Sequence, residues 1–196
     1  MVLLRLLNHS SEPTTHLPTL REYLDAARKI LSLILQIPPI DPSTSLRTAF
    51  LLRLTNDTLG SIVGYSPDSE SLPEALDWLD DLDQAWLAIL RAQVWDPAAG
   101  AGVDLYIDVA GASAGVKSSP VSQTERTRLR SLLIGSSASL EEWLENRKEH
   151  GVDGEDVETM LQRLGLQSEF DDLFSRTLDY LGGLGGVLVE PIKECL

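Results

Sequence analysis

The chain has 196 residues, a single cysteine and a formal net charge of -14 at pH 7. This length predicts one helical domain over 1–196 with a real hydrophobic core, and a lone Cys195 excludes an intramolecular disulfide or a thiolate zinc site. Residues 61–196 hold twenty-five acidic and ten basic side chains, which excludes nucleic acid and anionic membrane as expected partners. The apolar opening is interrupted by Arg5 and no cleavage site follows it, so we expect a cytoplasmic or nuclear protein that is not secreted.

The first two helices are predicted on either side of a proline-rich connection. Thr19 and Glu22 have the spacing of a capping box, and apolar residues then recur at three- and four-residue steps, which predicts a helix over 19–37. A Pro-Pro pair ends this helix, and a second apolar pattern from Leu46 and Phe50 onward predicts a helix over 44–64. Because the connection is short, we expect the two helices to form an antiparallel pair.

A third helix is predicted to begin at another capping box, Ser71 with Glu74, and to continue to Trp95. Its apolar stripe is formed by Leu72, Leu76, Leu79, Leu82, Trp86, Ile89 and Leu90. Trp86 is therefore expected in the core, as is Trp143 of a later helix. Trp78 lies about 100° around the helix from Leu79, so it is either a candidate interaction anchor at the surface or part of a wide buried face.

Residues 96–120 are rich in Ala, Gly and Ser and show no helical period, which predicts an internal loop or linker between helical halves. Within it, apolar residues alternate with Asp and Tyr over 103–109, the pattern of a short strand. The apolar positions are Val103, Leu105, Ile107 and Val109. Two alternatives stay open: the strand pairs internally with 187–189, or these four residues form a candidate interaction site for a protein partner.

The remainder of the chain is predicted to be helical. Ser122 and Glu125 form a third capping box and open one long helix over 123–148, because its apolar phase persists across a Gly-Ser-Ser stretch. A short helix closed by Gly165 follows. The last helix is predicted to run without a break from Ser168 to the glycine pair at 182–183.

Two kinds of short pattern occur near the start of the long helix: a series of arginines and two serine kinase-site patterns. Arg126, Arg128 and Arg130 follow one another at steps of two without an aromatic residue among them, which favours solvated helix surface over a nucleic-acid patch. Ser119-Pro120 resembles a proline-directed kinase site and Ser122-Gln123 a Ser-Gln kinase site, but patterns this short also arise by chance.

The sequence contains no motif of a familiar catalytic or cofactor site. The histidines at positions 9, 16 and 150 lack metal-ligand spacing, and no G-x-S-x-G elbow occurs. The glycine-rich stretches at 100–102 and 182–186 do not precede a helix that begins with Lys-Ser or Lys-Thr, so they do not match a phosphate loop. We therefore expect no catalytic residue, no cofactor and no metal.

An acidic cluster on the third helix is the one pattern with an enzymatic alternative. Asp77, Asp80 and Asp81 share a helical face, with Asp83 nearby, and clustered carboxylates on helices are typical magnesium ligands. The order superficially resembles a terpene-synthase aspartate box, although no second magnesium motif appears on another helix and no Arg or Lys lies between residues 54 and 90. The simpler interpretation is the solvent-facing side of an amphipathic helix.

We therefore predict an all-α fold of about six helices in antiparallel pairs, as an irregular bundle or a short α-solenoid-like stack. The function expected is a non-enzymatic protein–protein interaction module, an adaptor or subunit of a larger assembly acting through its acidic helical surface. One alternative is an all-α magnesium-dependent enzyme acting on a phosphorylated small molecule through Asp77, Asp80 and Asp81. Another is the terminal piece of a longer α-solenoid, since Val2 to Leu7 resembles a helix cut at its start.

Overall fold

The structure, a computed structural model, describes residues 19–66, 69–105, 118–145 and 157–182. It is mostly helical with one small sheet, which confirms the all-α prediction. In chain order its elements are α1 (Leu20–Leu35), α2 (Ser43–Ile62), α3 (Ser71–Leu90), β1 (Val94–Asp96), β2 (Ala101–Val103), α4 (Gln123–Glu145), α5 (Val157–Leu164), α6 (Gln167–Asp171) and α7 (Ser175–Tyr180).

Helix α1 begins at its predicted capping box and packs against α2 and α3. The backbone N–H of Glu22 donates to Thr19 Oγ1 at 3.2 Å, and the Thr19 hydroxyl donates to the Glu22 carboxylate at 3.1 Å. The connection 36–42 then returns the chain to α2, which contacts both α1 and α3. The predicted helix pair is confirmed, with both helices ending about two residues early.

Helix α3 is the centre of the fold because apolar residues cover most of its circumference. It contacts α1, α2, α7 and both strands. Trp86 is fully buried, and its indole N–H donates to Thr55 Oγ1 of α2 at 3.0 Å. The indole N–H of buried Trp143 in α4 donates to the Tyr65 carbonyl at 2.6 Å. The placement of both tryptophans in the core is therefore confirmed, and each indole N–H has the partner that burial demands.

The start of α3 differs from the capping-box prediction. Glu70 is the residue before the helix, no side chain caps the helix end, and Ser71 lies inside the first turn. The Ser-x-x-Glu spacing was therefore misleading here. Glu74 instead forms an ion pair with Arg21 of α1, so its carboxylate joins two helices rather than closing a cap.

The end of α3 also differs, since the helix stops at Leu90 and Trp95 lies in a strand. The chain turns through Ala92, whose φ is 55°, and β1 then pairs antiparallel with β2 in the register Val94 to Val103. This hairpin packs closely on the end of α3, because a Cβ added at Gly102 would lie 2.8 Å from the Ala88 Cβ. Glycine at position 102 permits that approach.

Where the structure describes it, at 103–105, the predicted strand over 103–109 differs in its position and in its pairing. Strand β2 ends at Val103, which pairs with Val94 rather than with 187–189, and Leu105 lies beyond the strand. Residues 106–117 and 183–196 lie outside the described residues, so the parts of the prediction that concern Ile107, Val109 and 187–189 remain predictions.

The C-terminal helices agree with the sequence in part. Helix α4 starts after the Ser122 capping box, whose hydroxyl accepts from the Glu125 N–H at 3.3 Å, and it crosses Gly135 without a break. Helix α5 is followed by Gly165 at φ 72°, as predicted. The last predicted helix is instead divided into α6 and α7 at Phe174, which is buried and has a φ of 57°.

One cluster of buried apolar side chains joins the described elements. It runs from Leu20 in α1 through Trp86 and Leu140 to Phe174 before α7. The described parts of the chain therefore share a single core, while a single domain over 1–196 stays a prediction for the rest.

Candidate functional site

Two grooves on the described surface are the candidates for a binding site. The first, which we call the acidic groove, has a volume of about 930 Å³ and lies between α3 and the α6–α7 segment, with Arg28 of α1 at its edge. Its charged lining residues are Asp77, Asp80, Asp81, Asp83, Glu169, Asp172, Arg28 and Arg176. Six carboxylates thus face two guanidinium groups.

Asp83 is the structural centre of the acidic groove. Its side chain is nearly inaccessible, with 3% exposed, and its carboxylate accepts the backbone N–H of Thr177 at 3.0 Å and Nε of Arg176 at 2.9 Å. The Thr177 hydroxyl donates to the Asp83 backbone carbonyl at 3.2 Å. These bonds attach the start of α7 to α3, which explains why α7 begins as a separate helix after Phe174.

Two exposed aspartates of the groove, Asp80 and Asp81, have arginine partners from other elements. Arg176 also contacts the Asp80 carboxylate, and Arg28 Nε of α1 lies 3.5 Å from Asp81 Oδ2. The sequence shows no basic residue near the cluster on α3, so only the tertiary fold brings these charges together. Two of the three carboxylates that resembled a magnesium site, Asp80 and Asp81, therefore have a compensating charge within the chain.

Burial raises the pKa of Asp83 above its ordinary value, although the hydrogen bonds from Thr177 oppose that effect. Burial also raises the pKa of Asp81, and Arg28 opposes it there. Within the described ranges, no group of three or more His, Cys, Asp or Glu side chains has an arrangement that could hold a metal ion. Asp77, Asp80 and Asp81 lie in one groove, but this geometry gives no support to the magnesium hypothesis.

The second groove is apolar and lies between α1 and α2; we call it the α1–α2 groove. Its volume is about 390 Å³. It is lined by Ile30, Leu33, Ile34, Ile37, Phe50, Arg53, Leu54 and Asp57. Arg53 Nε and Asp57 Oδ2 form an ion pair at 2.6 Å, so the two charged residues of the lining neutralise each other. The remaining lining is aliphatic or aromatic.

Large apolar side chains on both sides of this groove reach the solvent. Leu33 is 64% exposed and Ile30 is 49% exposed on α1, while Phe50 and Leu46 on α2 are each 48% exposed. Leu46 and Phe50 belong to the apolar pattern that predicted α2, and both are exposed, although only Phe50 lines the groove. Ile30 and Leu33 lie outside the three- and four-residue recurrence that predicted α1, and apolar residues outside that pattern were the available signal for this face.

Trp78, a candidate anchor in the sequence analysis, is completely buried and belongs to the core. It therefore presents no aromatic surface to a partner, and the alternative of a wide buried face is correct. Val103 and Leu105 are exposed on the hairpin side of the molecule, and neither lines the α1–α2 groove. Of the predicted interaction residues, the structure describes Trp78, Val103 and Leu105, and it does not bring these three into one site.

Arg126 of α4 has an aromatic neighbour that the sequence did not reveal. The guanidinium of Arg126 lies 5.6 Å from the ring centre of Tyr180 in α7, and that of Arg91 lies 5.7 Å from the same ring. The Tyr180 hydroxyl donates to the Leu90 carbonyl at 3.3 Å. These contacts join the end of α3 to α4 and α7, which gives Arg91 and Arg126 a structural role.

No helix in the described ranges is both long and apolar enough to cross a bilayer. Comparison with known proteins adds no family: no family model, no curated protein and no solved structure matches the chain.

Proposed function

We propose that this chain is a helical protein–protein interaction module, an adaptor or a subunit of a larger assembly, and that the α1–α2 groove is its binding face. The observation that carries the proposal is the apolar groove with Ile30, Leu33 and Phe50 exposed around it. Folded chains rarely leave large apolar side chains in contiguous contact with water unless another surface covers them. The proposal therefore places binding on an apolar face, whereas the composition led us to expect binding through the acidic helical surface.

The occupant that fits is an amphipathic helix of a partner protein. The groove lies between two neighbouring helices, and a third helix can place a ridge of side chains into such a groove. Charge supports the same occupant. Residues 19–60 carry five basic and four acidic side chains, whereas 61–196 is strongly acidic. A helix with a leucine-rich stripe and near-neutral flanks can therefore approach this face without strong repulsion from like charges.

Photo-crosslinking identifies the occupant directly. A benzophenone amino acid at position 33 would react with whatever covers the groove in cells, and the same group at Ile134 of α4 provides the control. Ile134 is an exposed apolar residue outside the groove, with 37% of its surface accessible. We expect position 33 alone to capture a segment with apolar residues at i, i+4 and i+7.

A synthetic peptide of the captured segment then provides the quantitative test. Burial of Leu33 in an interface is expected to contribute about 2 kcal/mol, so Leu33→Asp should weaken binding at least about 30-fold. Ile134→Asp should change the Kd less than about twofold. Equal binding by both variants, or capture of the same segment from both positions, would contradict the proposal.

A further inference from the structure

Ser119 connects the segment before α4 to the connection between α1 and α2. Its hydroxyl donates to Asp41 Oδ2 at 2.6 Å, and its backbone N–H donates to Asp41 Oδ1 at 3.3 Å. The two residues are 78 positions apart in the chain. One carboxylate therefore accepts both donors of a single serine and holds two distant segments together.

The same serine is accessible to a modifying enzyme. Residues 118–122 form neither helix nor strand, and 118–120 are exposed. Pro120 follows Ser119, and a residue before proline is restricted to extended backbone, the form in which a kinase binds its substrate. Val121 is buried, so it anchors the segment immediately after the exposed serine.

We propose that Ser119 is a phosphorylation site for a proline-directed serine/threonine kinase, and that the phosphate breaks the contact with Asp41. ATP supplies the phosphoryl group. A bond forms between Ser119 Oγ and the γ-phosphorus while the bond from that phosphorus to the β,γ-bridging oxygen breaks, and the hydroxyl proton passes to the base of the kinase. The products are phosphoserine and ADP.

The chemical change reverses the contact at Asp41. In the unmodified chain, the Ser119 hydroxyl donates a hydrogen bond to the Asp41 carboxylate. A phosphate ester instead carries a charge of about -1.5 to -2 and offers acceptor oxygens near neutral pH. Two anions then occupy positions that were 2.6 Å apart. Repulsion therefore separates Ser119 from Asp41 and releases 118–120 from the α1–α2 connection.

The first test uses the full folded chain with magnesium ATP and a purified proline-directed kinase. The sequence has a second Ser-Pro pair at 66–67, so the reactions use a Ser66→Ala background. We expect mass spectrometry to find one phosphate at Ser119. Ser119→Ala should abolish it, Pro120→Ala should slow it at least tenfold, and Ser118→Ala should leave it unchanged. Modification of Ser119 only after denaturation would overturn the proposal.

The second test measures the release by amide hydrogen exchange. We expect the Ser119 amide to exchange at least about tenfold faster in the phosphorylated chain than in the unmodified chain. Asp41→Asn removes the carboxylate charge, so phosphorylation of that variant should produce a clearly smaller acceleration. Equal exchange before and after phosphorylation would show that the phosphate does not disturb the contact, and an undiminished response in Asp41→Asn would show that repulsion is not the cause.

Discussion

Replacement of Asp83 by alanine tests whether the start of α7 is held by the buried carboxylate. The change removes the acceptor of the Thr177 N–H and of Arg176 Nε. Thr177 is fully buried, so its N–H is left without a partner at a cost of about 1–3 kcal/mol. Arg176 is partly exposed and still contacts Asp80, so the loss of its contact with residue 83 costs less free energy than the loss of the Thr177 bond. We expect Asp83→Ala to lower the free energy of unfolding by about 2 kcal/mol.

Urea unfolding measures this change, and Asp80→Ala is the matched control. The Asp80 side chain is 58% exposed, so the loss of its ion pair should cost no more than about 0.5 kcal/mol. Asp83→Asn retains an acceptor oxygen for the Thr177 N–H. Its loss of unfolding free energy should therefore lie between those of Asp80→Ala and Asp83→Ala. Equal costs for Asp80→Ala and Asp83→Ala would refute the assignment of the carboxylate at 83 as the attachment point of α7.

The pH dependence provides an independent check on the same residue. Because burial raises the pKa of Asp83, the folded state binds the proton more tightly than the unfolded state. Its contribution to stability therefore grows as the pH falls through the raised pKa and declines as the pH rises. We expect the difference in unfolding free energy between the natural chain and Asp83→Asn to increase as the pH falls from 7 toward the ordinary pKa of an aspartate, about 3.9. A decrease over that range would mean that Arg176 dominates over burial.

Three further predictions concern packing and metal binding. Trp86→Ala should cost about 3–5 kcal/mol in urea unfolding, because it empties a fully buried aromatic site, and a cost below about 1 kcal/mol would contradict that placement. Gly102→Ala should destabilise the fold by about 1–3 kcal/mol because the added methyl group meets Ala88. Gly60→Ala should instead stabilise it by about 0.5–1 kcal/mol, because a Cβ at position 60 has no close neighbour. A change of the same sign in both variants would contradict the hairpin packing. Calorimetric titration with magnesium should show no tight binding, since Asp80, Asp81 and Asp83 are paired with arginines, and Asp81-dependent binding would revive the enzyme hypothesis.

The sequence alone specified the elements whose stability comes from neighbours along the chain. The capping boxes at Thr19 and Ser122 were recognisable because each satisfies backbone donors within a single turn. Helix α4 was predicted as one helix because its apolar phase continues across Gly135. Trp86 and Trp143 were assigned to the core from helical periodicity, and the structure confirms both. The candidate binding face was not predicted, because exposure of Phe50 depends on which side of α2 the other helices leave uncovered.

The tertiary structure decided where the last predicted helix divides and where α3 ends, because residues distant in the chain determine the local conformation at both places. The last predicted helix is divided at Phe174 because its ring enters the core and Asp83 of α3 binds the next residues. Helix α3 ends five residues before Trp95 because a hairpin packs on its last turn, and that contact requires glycine at position 102. Periodicity and capping report interactions within a few residues, whereas these bonds and contacts join parts of the chain that only the folded core brings together.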